Sequence, residues 1–280
     1  MSNPLYATDS CFHHSLGFYP LTVRCEMLRE LGYDATTLTL RDEQAWNDAA
    51  ELAHIYKQHR ISVAHVHAAL DVAGDDNHPP NTRILHLLAN LEGSATLELS
   101  VYSSDRSLKP SDARADEAMA PWLGKLLRIA SARGITISLH PQQNNWLQRI
   151  EDAVRLCKHI EHPHLGVTFS AWHWYAADGR DLPGRVALAS PYLHRVSLCG
   201  VGFNPQSPDQ PCSTHPLDRG ELDNFALLGL LREHNYAGPI GIDAQVGGDV
   251  YANLRQSLNA CRDMLARLDA HPHWAQLHWK

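Results

Sequence analysis

An alternation of strand and helix, repeated eight times with mostly short connections, limits this chain to very few architectures. Apolar, β-branched runs predict strands near Leu5–Thr8, Ala35–Leu40, Ile61–His67, Ala95–Tyr102, Ile135–His140, Leu165–Ser170, Leu193–Cys199 and Ile240–Asp243. Helical patterns follow over Pro20–Leu31, Glu43–His59, Asn81–Glu92, Asp112–Arg133, Leu147–Ile160, Arg180–Ala189, Leu222–His234 and Ala252–Leu268. Stop signals punctuate them: Leu31-Gly32 and Arg133-Gly134 each end a helix on a glycine. Such a series predicts an α/β chain folded as a closed parallel (β/α)8 barrel, one domain over residues 1–270. A doubly wound open sheet is disfavoured, because no glycine-rich phosphate turn follows the first strand. The remainder, His271–Lys280, carries two tryptophans and is expected to pack a short helix on the barrel or on a partner subunit.

In a parallel barrel, polar residues at the C-terminal ends of strands face a shared mouth. Gly134-Ile-Thr-Ile-Ser-Leu-His140 and Leu165-Gly-Val-Thr-Phe-Ser170-Ala-Trp-His173 are apolar strands that stop on polar groups, which places His140, Ser170 and His173 there. Asp243 ends the last strand in the same way. An imidazole that titrates near neutrality suits general acid–base work, so His140 is a candidate catalyst with Asp243 as its partner. Trp146 and Trp172 are candidates for an apolar platform under a sugar face. Arg219 offers two parallel donors to a phosphate or carboxylate, or else pairs with Glu221 or Asp223. Glu98 interrupts an apolar strand; it either faces outward or contributes to the site. His13 and His14 follow the first strand and could line the mouth. Gly247-Gly248 reads as a tight turn or a weak anion cradle. The irregular stretch Gly200–Leu217, with four prolines, is long enough to be a functional loop.

Composition narrows the function. Net charge is −7 with histidines neutral, and no basic run occurs, which argues against nucleic acid as a partner. The six cysteines form no CxxC pair, and Cys25, Cys157 and Cys261 fall in predicted helices as small buried thiols. No leader-like segment and no apolar run of membrane-spanning length appear, so a cytoplasmic protein without membrane contact is expected.

Four segments resemble, in order, the motifs of the xylose isomerase-like TIM barrels, a group that includes sugar-phosphate isomerases, epimerases and relatives of endonuclease IV. The strand ending Leu-His140-Pro-Gln142 is similar to that family's fifth-strand Leu-Glu-Pro-His. Ser170-Ala-Trp-His173 is similar to its sixth-strand Asp followed three residues later by His. Pro216-Leu-Asp-Arg-Gly220-Glu-Leu-Asp223 resembles the turn before the seventh helix, and Tyr236-Ala-Gly-Pro-Ile-Gly-Ile-Asp243 the eighth strand.

The resemblance implies a small sugar or sugar-phosphate ligand, proton transfer at a substrate carbon, and a divalent ion held by Glu, Asp, His and Glu. Those ligand positions correspond here to His140, Ser170, Ser197 and Asp243, of which only His140 and Asp243 are ordinary metal ligands. A softer set of His67, His140, His173 and Asp243 would favour zinc over magnesium; zinc or manganese is the ion the resemblance leaves open. His67 and His173 also match family positions that hold a metal or substrate hydroxyls. The reading expected is an isomerase, epimerase or lyase of a small carbohydrate lacking the usual four-ligand site. Its alternatives are a sugar-binding barrel without catalysis and, behind both, a zinc-dependent phosphodiesterase. A homodimer is the assembly the resemblance suggests.

Overall fold

The computed structural model describes residues 3–204 and 212–278. Eight strands close into one barrel: β1 (Leu5–Ala7), β2 (Ala35–Thr39), β3 (Ser62–Asp71), β4 (Thr96–Tyr102), β5 (Thr136–Leu139), β6 (Leu165–Ser170), β7 (Leu193–Leu198) and β8 (Ile240–Ile242). Neighbours are parallel throughout, and β8 returns to β1 with Ile240 opposite Leu5 and Ile242 opposite Ala7. Each strand was legible as an apolar run; β3 alone overruns its expected end, continuing to Asp71.

Around the barrel lie α1 (Leu21–Leu31), α2 (Glu43–Ala50), α3 (Leu52–His59), α4 (Pro79–Asn90), α5 (Asp116–Ala132), α6 (Ile150–Ile160), α7 (Ala171–Ala177), α8 (Leu182–Ala189), α9 (Asn224–Glu233) and α10 (Val250–Ala270). Side-chain caps start several of them: Asp42, Asp223 and Asp249 each accept from the backbone N–H three residues on, at 2.9, 3.0 and 3.1 Å. Gly32, at φ +88, closes α1 in the left-handed conformation that a Cβ disfavours.

Three expectations need correction. The helix predicted over Glu43–His59 breaks at Glu51, whose N–H bonds Asp48 O three residues back at 3.0 Å. Backbone from Gly93 packs against that break, where a Cβ would lie 2.5 Å from Leu52 carbonyl atoms. The aromatic run after Ser170, where no helix was predicted, forms α7, with Ser170 Oγ accepting from His173 N at 3.4 Å. Aromatic and histidine residues carry little intrinsic helix preference, so packing rather than propensity makes this turn. Trp172, Tyr175 and Ala176 of α7 cover the buried cluster of Cys199, Val201 and Cys212. Val201 and Cys212 lie on an antiparallel hairpin, Gly200–Phe203 against Cys212–His215, inside the stretch Gly200–Leu217 that was expected to be irregular; residues 205–211 lie outside the described residues.

The C-terminal extension forms a short turn, Pro272–Ala275, on the barrel's own helices; residues 279–280 lie outside the described residues. Ala275 is buried over Gly229 of α9, close enough that a Cβ on Gly229 would meet it at 2.4 Å. All six cysteines are free and buried.

Period-two alternation then decides what faces where. Leu97 and Leu99, Ile137 and Leu139, Val167 and Phe169, and Val196 and Leu198 are buried beneath the helices. Their neighbours point into the barrel, and these are polar: Thr37, His65, Glu98, Ser138, Thr168 and Ser197, all buried, beside the phenol of Tyr6. Most barrels of this type fill the interior with branched apolar side chains. Here the apolar core is the shell between sheet and helices, and the interior is a polar shaft under the mouth.

Gly241 shows how tightly the shaft is packed. A Cβ there would come within 2.4 Å of the Tyr6 ring, whose hydroxyl donates to Val196 O at 3.2 Å. Gly241→Ala is expected to cost about 1–3 kcal/mol by overpacking. Urea unfolding measures it, and an unchanged midpoint would show that Tyr6 can move aside.

Candidate active site

At the C-terminal ends of the strands a cavity of about 750 Å³ opens, walled by residues on or just beyond all eight strands. Its floor is organised by Glu98 of β4, a carboxylate only 3% exposed. Glu98 Oε2 accepts from His140 Nδ1 at 2.8 Å and lies 3.2 Å from His65 Nε2. Its other oxygen accepts from Thr168 Oγ1 at 2.8 Å, and Thr168 in turn shares a 2.8 Å hydrogen bond with Ser138 Oγ. Burial by itself would raise the Glu98 carboxyl, but His140 and His65 beside it hold it well below the usual carboxylate range.

An ionised carboxylate only accepts, so the His140 proton sits on Nδ1. The opposite nitrogen, Nε2, is buried and has no hydrogen-bond partner among the described residues. Sequence reasoning left Glu98 open between facing out and joining the site; the structure turns it inward, where it fixes the tautomer of His140. A charge in the middle of an apolar strand was the signal.

Two more imidazoles border His140. His67 packs edge-on at 5.6 Å between ring centroids, and His173 at 5.3 Å. Burial pushes His67 down to about 4 and His173 well below an ordinary histidine. Both are therefore neutral at neutral pH. His173 Nδ1 accepts from Gln143 N at 3.2 Å, which puts its proton on Nε2 as a donor. His67 Nε2 lies 3.4 Å from the Gln142 amide nitrogen. His65 and His67, two residues apart on β3, share the inward face, and only His67 had been singled out.

Asp243, at the end of β8, also lines the cavity. One of its oxygens accepts from Ser10 Oγ at 2.7 Å and Thr8 Oγ1 at 3.1 Å. Burial raises its carboxyl above the ordinary value, against the pull of those hydroxyls and of His140. Asp243 thus takes up a proton more readily than a surface aspartate and holds it to higher pH.

The other candidates divide. Trp172 reaches the cavity. Trp146 does not: it is 2% exposed in the shell, with its indole N–H donating to Asp112 O at 2.8 Å. Arg219 is exposed outside the cavity and pairs with neither expected acid. Glu221 is taken by the Tyr175 hydroxyl and Phe203 N, and Asp223 caps α9. Unforeseen at the mouth are Asp9 and Arg41, an ion pair at 3.2 Å. They lie in turns after β1 and β2, where no strand pattern marks a residue as inward.

The family's ion can be tested against these donors. Positions Ser170 and Ser197 bring neutral hydroxyls, and Ser170 Oγ is already the cap of α7. A hard divalent ion requires carboxylates in their place. His67, Glu98 and His140 do offer ligand atoms within 4.8 Å of one another, but His173 and Asp243 fall outside that trio. Within it, Glu98 Oε2 accepts from His140 and faces His65, and Oε1 accepts from Thr168, so ligation through either oxygen would compete with a buried donor. The soft four-residue set is not assembled, and the donors present do not fit the family's ion.

Burial of neutral His67 carries a consequence for stability. Unfolded histidine takes up a proton near 6.5, whereas His67 in the fold does so only near 4. Between those values the unfolded chain binds more protons, so acidification destabilises the fold through that window. Denaturant midpoints measured from about pH 7 to pH 4 should fall for the native chain, and fall less for His67→Gln. Equal slopes would remove His67 from the cause.

The family model described as xylose isomerase-like TIM barrel matches residues 25–264. Among solved structures, an L-ribulose 3-epimerase superposes with a TM-score of 0.76 at 15% identity, covering 100% of both chains. The IolI protein, solved with a zinc atom, gives 0.75 at 14% identity over 94% of this chain and 98% of its own. The 3-keto-D-glucoside 4-epimerase YcjR from E. coli gives 0.66 at 17% identity, covering 96% and 100%. No curated protein matches the sequence. The structural likenesses establish the barrel, and the family match, which spans most of the sequence, places this chain in the xylose isomerase-like TIM barrel family.

Proposed function

We propose that the chain catalyses proton transfer on a small carbohydrate, as an isomerase or epimerase that works without the family's divalent ion. The observation that carries this reading is the buried Glu98–His140 pair with its unpartnered Nε2 at the cavity. Carboxylate, imidazole and vacant nitrogen in series are what a general base needs: a fixed tautomer, a stabilised imidazolium and a lone pair facing substrate.

The step follows from the groups present. His140 Nε2 removes the proton from a carbon next to a carbonyl, and the positive charge it acquires is stabilised by Glu98. Asp243 stands at a different strand end with its carboxyl raised, so it can return a proton to carbon or supply one to the carbonyl oxygen. Return to the neighbouring carbon isomerises; return to the opposite face of the same carbon epimerises. Neutral His67 and His173 place no second positive charge beside His140, and His173 Nε2–H, Gln142, Ser170 and Ser197 offer hydrogen bonds to hydroxyls. Trp172 supplies an apolar wall for the sugar's carbon face. A sugar-binding barrel without catalysis has one observation in its favour, the serines at two family ligand positions; the same experiment separates it.

That experiment is exchange of a substrate carbon-bound hydrogen with deuterated water, read across a panel of aldoses and ketoses. His140→Ala should lower exchange by about 10²–10⁴-fold while ligand binding persists. Glu98→Gln should keep the cavity's shape and lower the rate by roughly 10–100-fold, with little change in KM. Exchange undiminished in His140→Ala sinks the assignment, and binding without exchange in the native chain selects the non-catalytic reading. Dialysis against a chelator should leave exchange unchanged; loss restored by zinc or manganese would overturn the metal-free mechanism.

A further inference from the structure

Arg41 is the only arginine or lysine among the described residues that line the cavity. It follows β2 in the turn before α2, and its side chain is 33% exposed. Among the described residues its side chain has one hydrogen-bonding partner, Asp9, which takes a single guanidinium nitrogen, Nη2, at 3.2 Å. A guanidinium has five N–H donors in a planar fork, so Arg41 is held by one arm with the others uncommitted.

Asp9 does not neutralise it fully. Asp9 is 2% exposed, with Oδ1 accepting from Thr39 Oγ1 at 2.7 Å and Thr37 Oγ1 at 3.2 Å. Its Oδ2 accepts from Thr39 N at 2.9 Å and also faces Arg24 Nη1 at 3.8 Å. One carboxylate therefore serves two arginines, and Arg24 Nη1 remains without a hydrogen bond. Arg41 also borders a shallow groove that holds Asp42 and Asp48; neither acid lines the cavity, and neither forms an ion pair with Arg41. Arg41 thus brings an incompletely neutralised positive charge to the cavity wall.

We propose that Arg41 is a specificity residue that receives an oxyanion, so that the ligand is an acidic sugar derivative, a carboxylate or a phosphate ester, rather than a neutral sugar. This rests on the reading of the cavity as a carbohydrate site and names its substrate class. The cavity holds three carboxylates: Glu98 is covered by His65, His140 and Thr168, Asp9 by its threonines and arginines, and Asp243 has one oxygen covered by Ser10 and Thr8. Arg219, to which the sequence assigned this task, is outside the cavity.

Calorimetry on the His140→Ala chain tests the idea independently of turnover. The probes are glucuronate, ribose phosphate, inorganic phosphate, and the neutral sugars glucose and ribose. At least one oxyanion should bind about tenfold or more tightly than its neutral counterpart, weakening as salt rises. Arg41→Gln should abolish that preference, a loss of roughly 10–100-fold, and Arg41→Lys should retain part of it. A glucuronate preference identifies a carboxylate and a ribose phosphate preference a phosphate ester. Equal binding of acidic and neutral sugars, a preference that survives Arg41→Gln, or no binding by any anion overturns the proposal. A circular dichroism melt of Arg41→Gln guards against misfolding, and if that chain is unfolded, loss of the preference in Arg41→Met decides. Failure of the acid–base reading shows itself elsewhere, as hydrogen exchange that ignores His140.

Discussion

A single buried carboxylate sets the terms for this barrel. Moving Glu98 out of water costs several kcal/mol unless its charge and lone pairs are met. They are met by His140, His65 and Thr168, each from a different strand, so the pairing also fixes the relative heights of β3, β4, β5 and β6. The register agrees: Glu98 stands opposite His67 on one side and Ser138 on the other. Slipping any of these strands by one residue would turn its polar groups into the helical shell and its leucines into the shaft.

A polar interior of this kind trades hydrophobic stabilisation for chemistry. Branched side chains would fill the shaft more cheaply, since they need no partners. The fold tolerates the exchange because its apolar burial lies elsewhere, where Leu97, Leu99, Ile137, Val167 and Phe169 meet helix residues such as Leu123, Leu126 and Leu156. At about 25 cal/mol per Å² of apolar surface removed from water, that shell supplies the driving force. The shaft is left free to arrange donors and acceptors, and each hydrogen bond in it specifies a position more than it stabilises one.

This division explains what could be read from the sequence. The eight strands were legible because their outward faces are apolar and β-branched, a pattern local to each run. Helix ends were legible where glycine marks them, as at Gly32. His140 and Asp243 were placed at the cavity because each directly follows a strand, and His173 because it comes three residues after the end of β6. Glu98 was noticed and left undecided, since a strand's alternation does not say which of its faces points inward. Trp146 and Arg219 were misplaced for the opposite reason: they lie in turns, where chemical type suggested a role and geometry had no pattern to oppose it. Arg41 and Asp9 went unseen because their pairing joins two loops separated by a strand and a helix, a contact that the parallel pairing of β1 with β2 creates.

Position 140 then acquires a meaning beyond the loss of a ligand. Where the family motif carries a glutamate, this chain has an imidazole, and where the motif has an aspartate it has Ser170. An imidazole placed there without support would be a mobile base of uncertain tautomer. Glu98, one strand away, removes that uncertainty, and Thr168 and His65 keep Glu98 ionised and in place. The substitution and its support form one unit, because neither is useful alone: Glu98 without the histidines would be an unpaired buried charge, and His140 without Glu98 would lose the proton placement that frees Nε2. Every oxygen of the Glu98 carboxylate is occupied, and the nitrogen of His140 that the pairing leaves vacant belongs to a side chain of the cavity wall.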